Sequence, residues 1–272
     1  MTTSESLEHL APAAPPALLA ARQAPAVQLS GVSKSFDRAA PPVLDEIDLE
    51  VAAGELVCLL GASGCGKSTL LNLIAGLDQP TAGRIRVDGG HAALMFQEPA
   101  LFPWLTTAGN VELALRLRKV PKRERRAEAL RLLSLVRLDG AADRRVHELS
   151  GGMRQRVAMA RALAQNSSVL LMDEPFAALD AITRDVLHEE LVALWEENAR
   201  AGRPLAIVFV THNVREAVRL GQRVVLLSSR PGRVAREWAV DLPQPRRIED
   251  AGVAGLAARI TAELRKEISR HA

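Results

Sequence analysis

The chain has 272 residues, 48% hydrophobic and 25% charged, the balance of a soluble globular protein with material for one large domain or two small ones. A net charge of +3 is too small to argue for a nucleic-acid partner, and two cysteines, Cys58 and Cys65, exclude a disulfide framework and fit a reducing compartment. No apolar run approaches the ~20 residues that cross a bilayer, and no secretory signal is expected at the N-terminus. Action at a membrane would therefore require docking on another protein.

Residues 1–25 are rich in Ala and Pro and are expected to form a disordered tail. Alternation over Ala26–Leu29 and the run Val43–Val51 predict two strands, joined by a loop that carries Phe36. Read locally, Phe36 is a loop anchor packed on the sheet. Leu56–Leu60 is an apolar run of strand length, and Thr69–Ala75 has a helical pattern. Between them, Gly61-Ala62-Ser63-Gly64-Cys65-Gly66-Lys67-Ser68-Thr69 satisfies G-x-x-x-x-G-K-[ST] in the strand–loop–helix context that the motif needs. Its glycines let the backbone turn tightly with N–H groups inward, and the helix start adds partial positive charge. A triphosphate fits such a loop, with Lys67 reaching the outer phosphates and the Ser68 hydroxyl serving Mg²⁺. The alternative is a glycine turn that binds nothing. Cys65, inside the loop, is expected to react with alkylating agents and to be protected by ATP.

Gly76–Gly90 reads as a short hairpin, and the following apolar stretch ends in Gln97 before Pro99. Thr107–Ala164 is helical in pattern and includes a basic run, Arg116 to Arg126, interleaved with Glu124. Without aromatics, that run reads as a solvated helix face and not as a nucleic-acid surface. In Leu149-Ser150-Gly151-Gly152-Met153, Ser150 is an N-cap candidate, and the two glycines leave the first N–H groups of a helix uncovered. This is a second anion-binding helix start. Val169–Met172 is an apolar strand that delivers Asp173 and Glu174 at its carboxyl end, where open α/β sheets bind ligands. The pair suits Mg²⁺ held through Asp173 and a water oriented by Glu174. Leu205–Val210 repeats the pattern and ends in Thr211-His212, and Val224–Leu227 is a further strand. Leu242–Arg247 reads as an extended linker, and Leu256, Ile260, Leu264 and Ile268 mark a terminal amphipathic helix.

In this order the motifs resemble the ATP-binding subunit of ABC transporters over roughly residues 26–240. Leu149–Met153 looks like the signature sequence of that family, with Met153 in place of the usual Gln. Met153, the stretch Phe96–Leu105, Ser229-Arg230-Pro231-Gly232-Arg233 and Asp241-Leu242-Pro243 are similar to the branch that imports nitrate, taurine and aliphatic sulfonates. The resemblance implies an α/β P-loop NTPase fold: a mainly parallel ATPase core, a small antiparallel β-subdomain and a helical signature subdomain at about 98–164. A linker and terminal helix would occupy 241–272. It implies ATP and Mg²⁺ as cofactors, a homodimer, two membrane permease subunits and an extracytoplasmic solute-binding protein, with this subunit peripheral at the cytoplasmic face. Residue by residue, Phe36 takes the place of the aromatic on adenine and Gln97 that of the loop glutamine linking Mg²⁺ and water to the permease interface. Glu174 becomes the catalytic carboxylate and His212 the switch histidine. Ala178-Leu179-Asp180 matches the loop between the two ATP sites, and Ser150, Gly151 and Gly152 would face ATP on the partner. Asn213 stands where Asp commonly follows the histidine. Thr69 to Leu149 is too short for the coiled coil of chromosome-organising relatives, and a plain P-loop kinase or GTPase leaves Leu149–Gly152 unexplained.

Overall fold

A computed structural model describes residues 24–37, 40–177 and 179–270. The tail expected at 1–25 therefore lies almost wholly outside the described residues. The elements in chain order are β1 (Val27–Lys34), β2 (Leu44–Val51), β3 (Leu56–Leu60), α1 (Lys67–Ile74), β4 (Ala82–Val87) and β5 (Ala93–Met95). Then come α2 (Thr107–Leu117), α3 (Lys122–Leu135), α4 (Gly151–Leu163), β6 (Val169–Asp173) and α5 (Ala181–Arg200). The chain ends with β7 (Ala206–Val210), α6 (Val214–Leu220), β8 (Arg223–Leu227), β9 (Val234–Ala239) and α7 (Ala251–Ser269).

Continuous apolar strands such as β3, β6 and β7 require cover on both faces of their sheet. The two buried clusters supply it. Successive side chains point to opposite faces: Leu56, Cys58, Leu60, Leu170, Met172, Ile207 and Phe209 join one cluster, and Val57, Leu59, Val169, Leu171, Val208 and Val210 the other. The six-stranded sheet has the order β5-β6-β7-β3-β8-β9, parallel except for the antiparallel edge strand β9. A separate antiparallel sheet has the order β2-β1-β4. The mainly parallel core with a small antiparallel sheet is the architecture implied by the resemblance.

Several local expectations are corrected. Gly76–Gly90 is not a hairpin: its one strand, β4, pairs with β1 far back in the chain. Gly83 permits this, because a Cβ there would lie 2.3 Å from the Gly31 carbonyl oxygen of β1. Phe36 does not pack on the sheet; it is 68% exposed, with the Lys34 ammonium 5.0 Å from its ring centre. The helical stretch 107–164 is three helices, broken before Pro121 and again between Leu135 and Gly151. The terminal helix buries Leu256 and Ile260, but Ile268 is 46% exposed. Each i+4 step overshoots a 3.6-residue turn by about 40°, so the stripe rotates off the core within three steps.

The stretch 242–247, expected as an extended linker, has no regular secondary structure and is clamped in place. Arg246 is buried, and its guanidinium donates to the carbonyls of Leu242, Val218, Gly221 and Val240. These bonds attach the end of the chain to α6 and to the strand ends beside it. Arg246→Ala would leave those carbonyls without their donor in a buried place. We expect a loss of about 2–4 kcal/mol of stability, measured by urea unfolding.

Candidate active site

Three neighbouring parallel strands end at one level. Asp173 of β6 stands opposite Val210 of β7, and Val210 opposite Leu59 of β3. The ladder runs one residue further: Glu174 N donates to Val210 O (3.1 Å) and Thr211 N to Leu59 O (3.2 Å). The main chain thus brings Gly61, the Asp173–Glu174 pair and Thr211–His212 to one sheet edge.

The loop after β3 is built for backbone access. Gly64 and Gly66 have φ of 76° and 100°, where side chains are disfavoured, and a Cβ on Gly66 would strike Leu44 at 2.6 Å. Gly66 is the N-cap of α1 and no side chain caps the helix, nor does its first turn carry an acidic residue. Lys67 is buried, and its Nζ donates to Gly61 O (2.9 Å) and Ala62 O (3.0 Å). Ser63 and Ser68 are exposed and Thr69 half-buried. Cys65 differs from expectation. Its thiol is 1% exposed, packed beneath the loop beside Gly61, and burial raises its pKa despite nearby Lys67. A protonated, buried thiol is a poor target for alkylation.

The Ser68 hydroxyl lies near the Asp173 carboxyl and favours its charged form. Burial pushes that carboxyl above the ordinary range; Ser68 opposes this, Glu174 adds to it and Lys67 opposes it. Next to it, Glu174 has a φ of 43°, a left-handed conformation that costs a non-glycine residue on the order of 1 kcal/mol. Its Oε2 lies 3.2 Å from His212 Nδ1. Among the described residues, no cluster of three or more His, Cys, Asp or Glu side chains is arranged to hold a metal. A hydroxyl, one carboxylate and substrate phosphates are instead the usual surroundings of Mg²⁺.

Gln97 follows β5, the strand that pairs with β6, and Ser150, Gly151, Gly152 and Asp180 sit at the starts of two helices. Ser150 caps α4, its Oγ accepting from Met153 N at 3.2 Å. Gly151 opens onto free space and lines a surface groove of about 610 Å³ together with Gln97, Arg154 and Leu179. A Cβ on Gly152 would lie 3.3 Å from Thr183 Cγ2. Asp180 is the N-cap of α5, accepting from Thr183 N at 2.9 Å, and that bond to the backbone holds its carboxyl below the usual range. Ala178 lies outside the described residues.

A family model for the ABC transporter matches residues 44–177. The taurine import ATP-binding protein of Rhizobium johnstonii is 46% identical over 234 residues, covering 83% of this chain and 87% of its own. The chain belongs to the ATP-binding proteins of ABC transporters. The nitrate import ATP-binding protein of Synechocystis is 47% identical over 207 residues, 74% of this chain and 76% of that one. A bacterial ABC transporter cassette solved as a dimer superposes with a TM-score of 0.71 at 34% identity, covering 80% of this chain and all of its own. The same cassette, also dimeric and bound to ADP and Pi, superposes equally well.

Three residues of this ABC ATPase region escaped the sequence reading. Gln155, buried on α4, donates through Nε2 to Gln97 O (3.1 Å) and to Pro175 O (2.5 Å), tying residue 97 to the residue after Glu174. Its signal was a lone polar residue on the face shared by Ala158, Met159 and Ala162. Arg184 donates to Phe176 O and Leu179 O and so fixes the turn after Glu174. Glu216 joins His188 Nε2 (2.6 Å) to the Thr211 hydroxyl, next to His212; no sequence pattern marks it.

Asp173 supplies a pH prediction. A carboxyl whose pKa is raised by folding favours the folded state below its unfolded pKa of about 4, and loses that contribution as pH rises through the folded value. Asp173→Asn should therefore raise the melting temperature of the nucleotide-free protein at neutral pH. The gain should shrink as pH falls towards the unfolded pKa, read by thermal unfolding across that range.

Proposed function

We propose that this chain is the ATP-binding and ATP-hydrolysing subunit of an ABC importer, closing as a homodimer over ATP to drive uptake of a small oxyanion, aliphatic sulfonates ahead of nitrate. One observation carries the reaction: a phosphate-type loop, a hydroxyl–carboxylate pair and a Glu–His pair meet at the ends of three adjacent strands.

The site suits ATP with Mg²⁺. The uncapped start of α1 offers free N–H groups to an anion, and the raised pKa of Asp173 reflects a buried carboxylate that a cation would stabilise. Phe36, exposed on its loop, would stack on adenine, and the backbone from Gly61 to Thr69 with Lys67 would hold the phosphates. Ser68, Gln97 and Asp173 would hold Mg²⁺, which supplies charge neutralisation for phosphoryl transfer. Glu174 accepts the proton of the attacking water, and His212 holds that carboxylate in place. Ser150, Gly151 and Gly152 lie outside this group and would serve the nucleotide of the partner protomer, with Asp180 near the junction. Each protomer thus supplies half of each site, and closure excludes water. The dimeric cassette to which the chain is similar supports this reading.

The domain reading follows: an ATPase unit over 26–240 with its helical part at about 98–164, then the terminal segment. Among the described residues no helix is long and apolar enough to cross a membrane. The subunit would act at the cytoplasmic face on two permease subunits, with an extracytoplasmic solute-binding protein delivering the anion. Nucleic acid has no place in this scheme. Taurine is itself an amino-substituted aliphatic sulfonate, so the taurine import relatives favour sulfonate chemistry; the nitrate import relative supports the second choice.

Glu174→Gln should bind ATP while turnover falls about 10²- to 10⁴-fold, and an ATP-bound dimer should accumulate in size-exclusion chromatography. Wild-type turnover in that variant would remove Glu174 from the chemistry. For the substrate, vesicles carrying the assembled transporter should take up an alkanesulfonate in preference to nitrate when given ATP inside. The reverse order would assign the nitrate reading.

A further inference from the structure

The Ser229–Arg233 motif has no part in the chemistry above, yet it reaches the phosphate loop. It lies between β8 and β9 and is pinned at Gly232, whose N donates to Val43 O (2.9 Å) and whose O accepts from Asp45 N (3.0 Å). Arg233 adds an ion pair with Asp45. From that fixed position two contacts run to the phosphate loop. A Cβ on Gly232 would lie 2.2 Å from Cys65 O, so the two backbones are in direct contact. Arg230 lays its guanidinium over Gly64 and donates from Nε to Gly64 O at 3.3 Å.

The second contact has a directional consequence. In a trans peptide, C=O and N–H point opposite ways. Holding Gly64 O outward against Arg230 therefore turns the Cys65 N–H into the loop, where it makes only a long bond, 3.3 Å, to Ala62 O. That N–H is one of the donors an anion in the loop would take up. Gly64, with a φ of 76°, gives no steric resistance to peptide rotation, so an external hold on this peptide matters.

We propose that Arg230 is a positioning residue for the nucleotide: with Gly232 it buttresses the phosphate loop from behind and presets the Gly64–Cys65 peptide for phosphate. The role rests on the reading of the loop as the ATP site. Preorganisation of this kind acts on ground-state binding, so it appears in Kd and KM more than in kcat.

The test uses the full chain with Mg–ATP and compares wild type, Arg230→Ala, Arg230→Gln and Arg230→Lys. Arg230→Ala should weaken ATP binding and raise KM about 3- to 10-fold, the scale of one lost hydrogen bond, with kcat at saturation and the melting temperature unchanged. Arg230→Gln keeps a neutral N–H donor and should recover most of the affinity. Recovery by Arg230→Lys but not by Arg230→Gln would mean that a neutral donor does not suffice and the positive charge is needed, which would overturn positioning by the hydrogen bond to Gly64 O. Wild-type affinity in Arg230→Ala would overturn the buttress while leaving the ATP reading intact. Failure of the unsubstituted chain to bind ATP would overturn the ATP reading, and this role with it.

Discussion

The level ending of β6, β7 and β3 is the constraint on which the site depends. Their register is set by a parallel ladder whose side chains are buried on both faces, so a slip by one residue would exchange the two buried sets. Because the ladder continues through Glu174 N and Thr211 N, the positions of Glu174 and His212 are main-chain consequences of that register. The core and the chemistry are specified by the same hydrogen bonds. Local strain is superimposed on this frame at Glu174, whose left-handed backbone is held by its bond to Val210 and by the turn that Arg184 fixes.

Support for the site comes largely from outside its motifs. The phosphate loop rests on the start of β2 and on the β8–β9 loop, the carboxylate strand on Gln155, and the histidine on the chain Thr211–Glu216–His188. Glu216 and His188 are both buried, and Glu216 meets His188 Nε2 with one carboxylate oxygen and the Thr211 hydroxyl with the other, which makes a well-defined link between α5 and α6. The side chains of the candidate site are therefore held by bonds to carbonyls and by buried pairs, several of them supplied from distant stretches of the chain such as Gln155 and His188.

This explains what the sequence made legible. Strands buried on both faces stand out as apolar runs, so β3, β6, β7 and β8 were readable, and with them the residues at their ends. The edge strand β9, Val-Ala-Arg-Glu-Trp-Ala, was not: an antiparallel edge carries exposed charges that blur alternation. The pairing of β4 with β1 depends on Gly83 approaching Gly31 across the fold, a fact of tertiary contact. Helices α5 and α6 begin at the caps Asp180 and Asn213, residues that entered the sequence reading only through the family resemblance and not as helix starts. Cys65 lies in a loop by sequence and in the core by packing, because the tight turn around Gly64 and Gly66 folds its side chain under the backbone.

The grip of Gln155 has one more implication. It takes residue 97 by the main-chain oxygen, and every amino acid has that oxygen. Mechanical attachment and side-chain chemistry at position 97 are thus separable: a substitution there removes the amide but keeps the bond that joins α4 to the stretch after β5. A rotation of α4 would pull on both carbonyls at once, whichever side chain occupied that position. The structure places this attachment in the backbone and leaves the side chain of residue 97 out of it.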